Sequence, residues 1–209
     1  MFTNILRVEG PVYRIGSKIW CLLVLNVLIV LTSLPIVTIG ASLTAAYTVT
    51  TKMIQTDETK VITYFFESFR SNFKKSLFLW LPLLVISLIL GIDWLYLVQT
   101  NQVKSLMTIG VVAFSLFAIQ CLQVIFFYLS RYEIELKEMV KNTVLIGLQQ
   151  PFKSLLLLIV GLFPYTITLL SPYLFVFNIY ISLFIGISFN LFLRTFILLM
   201  MFNRYDKKD

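Results

Sequence analysis

The sequence has no histidine among its 209 residues. This absence excludes histidine as a general acid or base, as the base of a Ser-His-Asp triad, and as a metal or haem ligand. The patterns GxGxxG, GxxxxGK[ST], CxxC and HExxH are also missing, so the common nucleotide and metal motifs are not present. We therefore predict no catalytic residues, no cofactor and no metal site, and we expect that the protein is not an enzyme.

Charged residues are scarce, at 13% of the chain, whereas 59% of the residues are hydrophobic. Soluble domains contain about a quarter charged and about half apolar residues, so this composition indicates a protein embedded in a lipid bilayer. The net charge of +7 does not indicate a nucleic-acid partner, because the basic residues flank apolar segments. The two cysteines, Cys21 and Cys121, lie within apolar runs and are predicted to be free thiols.

Four apolar blocks organise the chain, and the first of them, 19–53, contains Pro35 near its middle. This block either crosses the membrane once, giving five spans, or turns at Pro35, giving six; a re-entrant hairpin also stays open. The hairpin places every Lys and Arg on the inner side except Lys104 and Arg194, so the positive-inside rule favours six spans with both termini in the cytoplasm. The predicted fold is a single all-α polytopic bundle over 1–209, with membrane segments near 19–34, 36–53, 76–98, 106–130, 154–170 and 174–202.

Two of the inner loops have the periodicity of amphipathic helices, near 61–73 and 133–149. We predict that both helices lie at the inner membrane surface. Either they only place their apolar side chains in the membrane and their polar side chains in water, or one of them also binds a partner. The candidate partner or membrane-surface face consists of Ile62, Phe65, Phe66 and Phe69.

The last segment has a polar or small residue at every fourth position, which we name the polar stripe. Such a stripe is typical of close helix packing with interhelical hydrogen bonds, and it can also line a polar path. Arg194 is expected to reach the inner headgroups, and Asp93, the only acid within a predicted segment, is expected at the outer interface. The stripe consists of Asn178, Ser182, Gly186, Asn190 and Arg194.

A second cluster of small residues opens the predicted segment 36–53. Small side chains allow helices to approach closely, so Gly40, Ala41, Thr44 and Ala45 form a candidate helix-packing cluster. The amides Asn26, Gln120 and Gln123 lie in apolar surroundings and are expected to need partners on neighbouring helices.

The N-terminal part of the chain contains several distinctive runs, namely Leu25-Asn26, Leu34-Pro35-Ile36-Val37-Thr38-Ile39-Gly40-Ala41, Thr44-Ala45-Ala46-Tyr47, Phe65-Phe66-Glu67-Ser68-Phe69 and Asn72-Phe73-Lys74. In these runs it resembles the YesL family of bacterial predicted integral membrane proteins, which is defined by a domain of unknown function. The resemblance implies a multi-pass protein of the bacterial cell membrane with no known catalytic residues. Members are often encoded beside sugar-utilisation genes, including those of ABC-type importers.

Two hypotheses of function follow. The first is a non-catalytic accessory or stabilising protein for ABC-type carbohydrate uptake, whose partners are the lipid bilayer and either the importer or further copies of the chain. The alternative is a small transporter or channel with a polar path along the last helix.

Overall fold

The computed structural model describes residues 11–56, 60–100, 106–133 and 135–203. These residues form helices joined by short turns, and no strand occurs within them. The predicted all-α fold is confirmed. The helices are α1 (Pro11–Thr32), a 3₁₀ turn (Ile36–Thr38), α2 (Ile39–Gln55), α3 (Val61–Gln99), α4 (Leu106–Arg131), α5 (Leu136–Gln149), α6 (Pro151–Thr168), α7 (Pro172–Ile181), a π-helical turn (Ser182–Gly186) and α8 (Ile187–Phe202).

Several of these helices are long and apolar enough to cross a membrane. Within the described residues there are five such stretches, and the π-helical turn joins α7 and α8 into one of them. The chain is therefore a multi-pass membrane protein. The stretches are Ile15–Thr32, Val61–Gln99, Met107–Arg131, Pro151–Thr168 and Pro172–Phe202.

The first apolar block forms a hairpin of α1 and α2, and not a single crossing. Pro35 lies in the turn between them, where a missing N–H and a fixed φ do not interrupt a helix. Trp20 and Cys21, in the middle of α1, line a pocket together with Val61 at the start of α3, six residues after α2 ends. Because the chain is beside α1 again once α2 is complete, α1 and α2 are antiparallel.

Helix α2 is the buried centre of the bundle. It has 17 residues, about 25 Å of helix, which is short for a hydrocarbon core of about 30 Å. It is not among the five long stretches, and its main neighbours are α3, α4 and α8. Its hydroxyl groups pair with those of the helices around it, including Thr48 with Ser68 at 2.8 Å and Thr50 with Thr195 at 2.7 Å.

Helix α3 corrects one boundary of the prediction. The expected surface helix at 61–73 and the expected membrane segment at 76–98 are parts of one helix of 39 residues, about 58 Å long. The Trp80 indole donates a hydrogen bond of 2.8 Å to the Ile36 carbonyl in the α1–α2 turn. The turn therefore lies 19 residues before the end of α3, about 28 Å along that helix.

The remaining helices complete the bundle, and α6 runs antiparallel to α8. The Gln150 amide and the Lys153 ammonium, at the start of α6, donate to the carbonyls of Met201 and Met200 at 2.9 and 2.7 Å. Pro151 and Pro172 each occupy the first turn of a helix, where a proline costs no internal hydrogen bond. The predicted amphipathic helix at 133–149 appears as α5.

Candidate functional site

The most distinctive local structure is the π-helical turn Ser182–Gly186 within the last membrane helix. A π-helical turn widens the helix by one residue and displaces backbone groups from the regular i→i−4 pattern, and such turns are frequent at functional sites. The Asn26 side chain on α1 binds this turn on both sides. Its amide nitrogen donates to the carbonyls of Leu183 (2.7 Å) and Ser182 (3.0 Å), and its oxygen accepts from the backbone N–H of Ser188 (2.9 Å).

Ser188 adds a second contact between the same two helices. Its hydroxyl donates to the Leu22 carbonyl on α1 at 2.8 Å, one turn before Asn26. Asn26 and Ser188 are both fully buried, so the wide turn is held by hydrogen bonds in a region without water. The interhelical partner expected for Asn26 is present.

The polar stripe faces α6, on another side of the last helix. Asn190 donates to the Val160 carbonyl at 2.8 Å, and Asn178 donates to the Pro164 carbonyl at 3.1 Å. The first of these bonds has a specific cause. Pro164 has no N–H, so the Val160 carbonyl, four residues earlier, lacks its usual donor, and the Asn190 amide replaces it.

This replacement predicts a non-additive pair of substitutions. Pro164→Ala restores an N–H for the Val160 carbonyl, so Asn190→Ala is expected to cost about 1 kcal/mol less in the Pro164→Ala background than in the wild type. The free energy of unfolding, measured by SDS titration in mixed micelles, tests this difference. Asn178→Ala is the matched control, because Asn178 binds the carbonyl of residue 164, which alanine also has. Equal costs of Asn190→Ala in both backgrounds would contradict the assignment.

Arg194 lies at the C-terminal end of the stripe and is half-buried. Its Nε donates to the Asn190 side-chain oxygen at 2.6 Å, and its guanidinium interacts with the hydroxyl of the buried Tyr47. The expected extension of Arg194 to the headgroups is therefore replaced by contacts with α2 and with its own helix. Asn190 uses both ends of its amide, one for Arg194 and one for Val160.

A cavity of about 370 Å³ lies between α6 and the last helix. The stripe residues Asn178, Ser182, Gly186 and Asn190 line it, and Arg194 does not. Because Asn178 and Asn190 donate to α6 carbonyls, the polar groups of this wall are engaged in holding the two helices together. The remaining lining is mostly apolar.

The predicted packing cluster lies on α2, and Gly40, Ala41, Thr44 and Ala45 are all buried. A Cβ atom on Gly40 would lie 2.8 Å from the Cβ of Trp80 and 3.0 Å from a ring carbon of Phe126. The backbones of α2 and α3 are thus in contact here. One turn further, the hydroxyls of Thr44 and Ser76 share a hydrogen bond of 3.1 Å.

The candidate face on the first part of α3 divides into two parts. Ile62 and Phe66 are exposed, by 57% and 42%. Phe65 is fully buried, and Phe69 is half-buried and stacked on it with ring centroids 6.1 Å apart. Phe65 is therefore a core residue, which corrects its assignment to a partner or membrane surface. Helix α2 packs on that side of α3 and covers it.

Three further residues of the sequence-based predictions, Asp93, Gln120 and Gln123, take no part in the contacts described above. Asp93 is half-buried in the last two turns of α3, next to Trp94, whose indole donates to the Ser115 hydroxyl. Both side-chain polar atoms of Gln120, and the oxygen of Gln123, have no hydrogen-bond partner among the described residues. The described residues also contain no group of three or more Cys, Asp or Glu that could hold a metal.

The fold and these contacts define a class: an all-helical, multi-pass membrane protein built around one short buried helix. Residues 22–94, from α1 to near the end of α3, match the family model described as "Protein of unknown function, DUF624". This part of the chain is therefore similar to the DUF624 family, and the predicted resemblance to a family with a domain of unknown function is confirmed. No curated protein and no solved structure matches the chain.

Proposed function

We propose that the protein is a non-catalytic accessory component of a membrane complex, and that its partner is an ABC-type carbohydrate importer. The choice of an importer as the partner is based on the genes that often accompany members of the family that this chain resembles. The choice of the contact surface is based on which residues of α3 are exposed. We propose the first four turns of α3 as this surface, because they present both apolar and charged side chains.

The observation that supports this surface is the pattern of exposure on α3. Ile62, Phe66 and Arg70 are exposed at intervals of four residues, and Thr63 and Glu67 are exposed beside them. Residues at this spacing lie on one face of a helix. Apolar anchors bordered by charged side chains are typical of protein interfaces, where a few central residues supply most of the affinity.

The charge distribution supports an orientation for this surface. The end of α2, the start of α3, the end of α4 and the start of α6 carry Lys52, Lys60, Arg131 and Lys153. No Lys or Arg occurs in the described parts of the turns at the other end of the bundle, 100 and 169–171. By the positive-inside rule we place the basic end, and both termini, in the cytoplasm of a bacterial cell.

A pulldown with substituted α3 tests the accessory role. Wild-type protein, tagged at its native locus and solubilised in mild detergent, is expected to enrich importer subunits in mass spectrometry. In the Ile62→Ser/Phe66→Ser variant we expect at least a five-fold lower yield of these subunits, because both apolar anchors are lost. The matched control is Leu145→Ser/Leu148→Ser, which changes two exposed leucines of α5. Failure of the wild-type protein to enrich any importer subunit would refute the accessory role.

The alternative, a small transporter, is favoured by one observation, the cavity of about 370 Å³ lined by the polar stripe. The hydrogen bonds of Asn178 and Asn190 to α6 weigh against it, because these amides are occupied in packing. Uptake of a labelled sugar by vesicles that contain this protein alone, above the rate of protein-free vesicles, would favour the transporter.

A further inference from the structure

A cavity of about 580 Å³ lies between α3, α4 and α5. This volume is within the range of about 300–1,000 Å³ that is typical of ligand sites. Its walls include Pro82 and Leu83 of α3, Phe117 and Cys121 of α4, and Lys137 and Thr143 of α5. Two further lining residues, Phe78 and Phe114, are more than half exposed, so the cavity opens at the surface of the bundle.

The chemistry of the lining is that of an amphiphile site. Almost all of the wall is apolar, and Lys137 is the one charged residue among the described residues that line it. Thr143 is only 3% exposed, and its hydroxyl has no hydrogen-bond partner in the described part of the chain. A buried hydroxyl without a partner costs free energy, so a ligand oxygen that accepts its hydrogen bond would be favoured.

The position of the cavity indicates which amphiphile fits. It runs along α4 from Ile125 to Phe114, about 17 Å, on a side of the bundle that faces lipid. Lys137 lies in the first turns of α5, shortly after the basic end of α4. Two exposed lysines, Lys74 and Lys75, precede Phe78 by one turn in α3, so three lysines lie near this end. Glu138 neighbours Lys137 in sequence but does not line the cavity.

We propose that this cavity binds one acyl chain of an anionic phospholipid, whose phosphate contacts Lys137. Basic sites between membrane helices on the cytoplasmic side are suited to anionic headgroups, and the apolar wall replaces the neighbouring lipid chains. The Thr143 hydroxyl donates to an oxygen of the same lipid. This site lies on α3, α4 and α5 and does not depend on the proposed contact with an importer.

Native mass spectrometry of the detergent-purified protein tests the site. The probes are phosphatidylglycerol, which is anionic, and phosphatidylcholine, which is zwitterionic; both carry the same two oleoyl chains and differ only in the headgroup. We expect the wild type to bind phosphatidylglycerol about five-fold more tightly, the factor that one lysine near an anionic group supplies. Lys137→Gln is expected to bring this ratio close to one. Lys141→Gln, on the same helix but outside the lining, is the matched control and is expected to keep the ratio.

A second variant tests the cavity itself. Ala118→Trp fills the space beside Cys121 and is expected to lower the binding of both lipids at least five-fold, with the elution volume in size exclusion unchanged. If this variant does not fold, Lys137→Gln and Lys141→Gln still test the proposal. Equal affinity of the wild type for both lipids, or equal loss of preference in Lys137→Gln and Lys141→Gln, would overturn the proposal. Absence of bound lipid would instead indicate a helix of another protein as the occupant.

Discussion

Asn26→Leu is expected to lower the free energy of unfolding by about 3 kcal/mol, since three hydrogen bonds of about 1 kcal/mol each are lost at the π-helical turn. Leucine has the same number of side-chain heavy atoms as asparagine and the same branch at Cγ, but it neither donates to Ser182 and Leu183 nor accepts from Ser188. The Asn26 side chain that makes all three bonds is fully buried, so water does not replace it as a partner. SDS titration in mixed micelles measures the change.

Asn178→Leu is the control for Asn26, because it removes a single bond from a half-buried amide on the last membrane helix, the helix that Asn26 binds. Its expected cost is about 1 kcal/mol. Asn26→Asp separates the roles of the two amide ends, since the carboxylate still accepts from Ser188 but cannot donate to the two carbonyls. If Asn26→Leu cost no more than Asn178→Leu, the proposed role of Asn26 at the π-helical turn would be wrong.

The second large effect is expected for Gly40→Ala, a change of one methyl group. The added Cβ would approach the Trp80 Cβ to 2.8 Å, and since a Cβ is fixed to its backbone, α2 and α3 must move apart. Overpacking of this kind costs about 1–3 kcal/mol, and here it also lengthens the Trp80–Ile36 hydrogen bond. A lower apparent melting temperature in detergent is the expected result.

Two other glycines provide controls for Gly40. Gly16 on α1 and Gly91 on α3 have nothing within 4 Å of an added Cβ. Because alanine favours a helix over glycine by up to about 1 kcal/mol, Gly16→Ala and Gly91→Ala are expected to leave the melting temperature unchanged or to raise it. A similar decrease for all three variants would show that close packing at Gly40 is not the cause.

Local chemistry predicts the hairpin and the membrane character of this chain well. Proline at position 35 lies inside an apolar run and disfavours a helix interior, and the distribution of basic residues favours a turn there, so the hairpin of α1 and α2 is predictable from the sequence. A chain with 59% hydrophobic residues is stable in lipid and not in water, and in lipid its backbone must form long helices, so the helix bundle is predictable from composition.

The continuity of α3 is not predictable from composition. The polar run at Lys74 and Lys75 suggested a boundary between a surface helix and a membrane helix. Lysine and serine change the preferred depth of a segment in the bilayer, but they do not break a helix. The stretch from Val61 to Leu81 contains no Gly or Pro, so nothing in it ends the helix.

Helix α2 covers one side of α3, and the spacing of apolar residues in α3 does not show which side this is. Phe65 and Phe66 are adjacent in an apolar stripe, yet only Phe65 lies against the core. The hydrogen bond between Asn190 and Val160 is likewise not predictable from the sequence. The polar stripe can be recognised there, but the Val160 carbonyl, which Pro164 leaves without a donor, lies on a different helix. Only the fold brings the Asn190 amide and this carbonyl together.

The hydrogen bond between Thr50 and Thr195 has a consequence for biosynthesis. The two residues are separated by 145 positions, and Thr195 lies close to the C-terminal end of the chain. At about 5–20 residues per second, a ribosome needs roughly 7–29 s to reach the second after making the first. During this interval α2 has no α8 beside it, so the surroundings of the buried helix are completed only when α8 is inserted. A nascent chain that stops before α8 therefore exposes its central helix to lipid and to the proteases of the membrane.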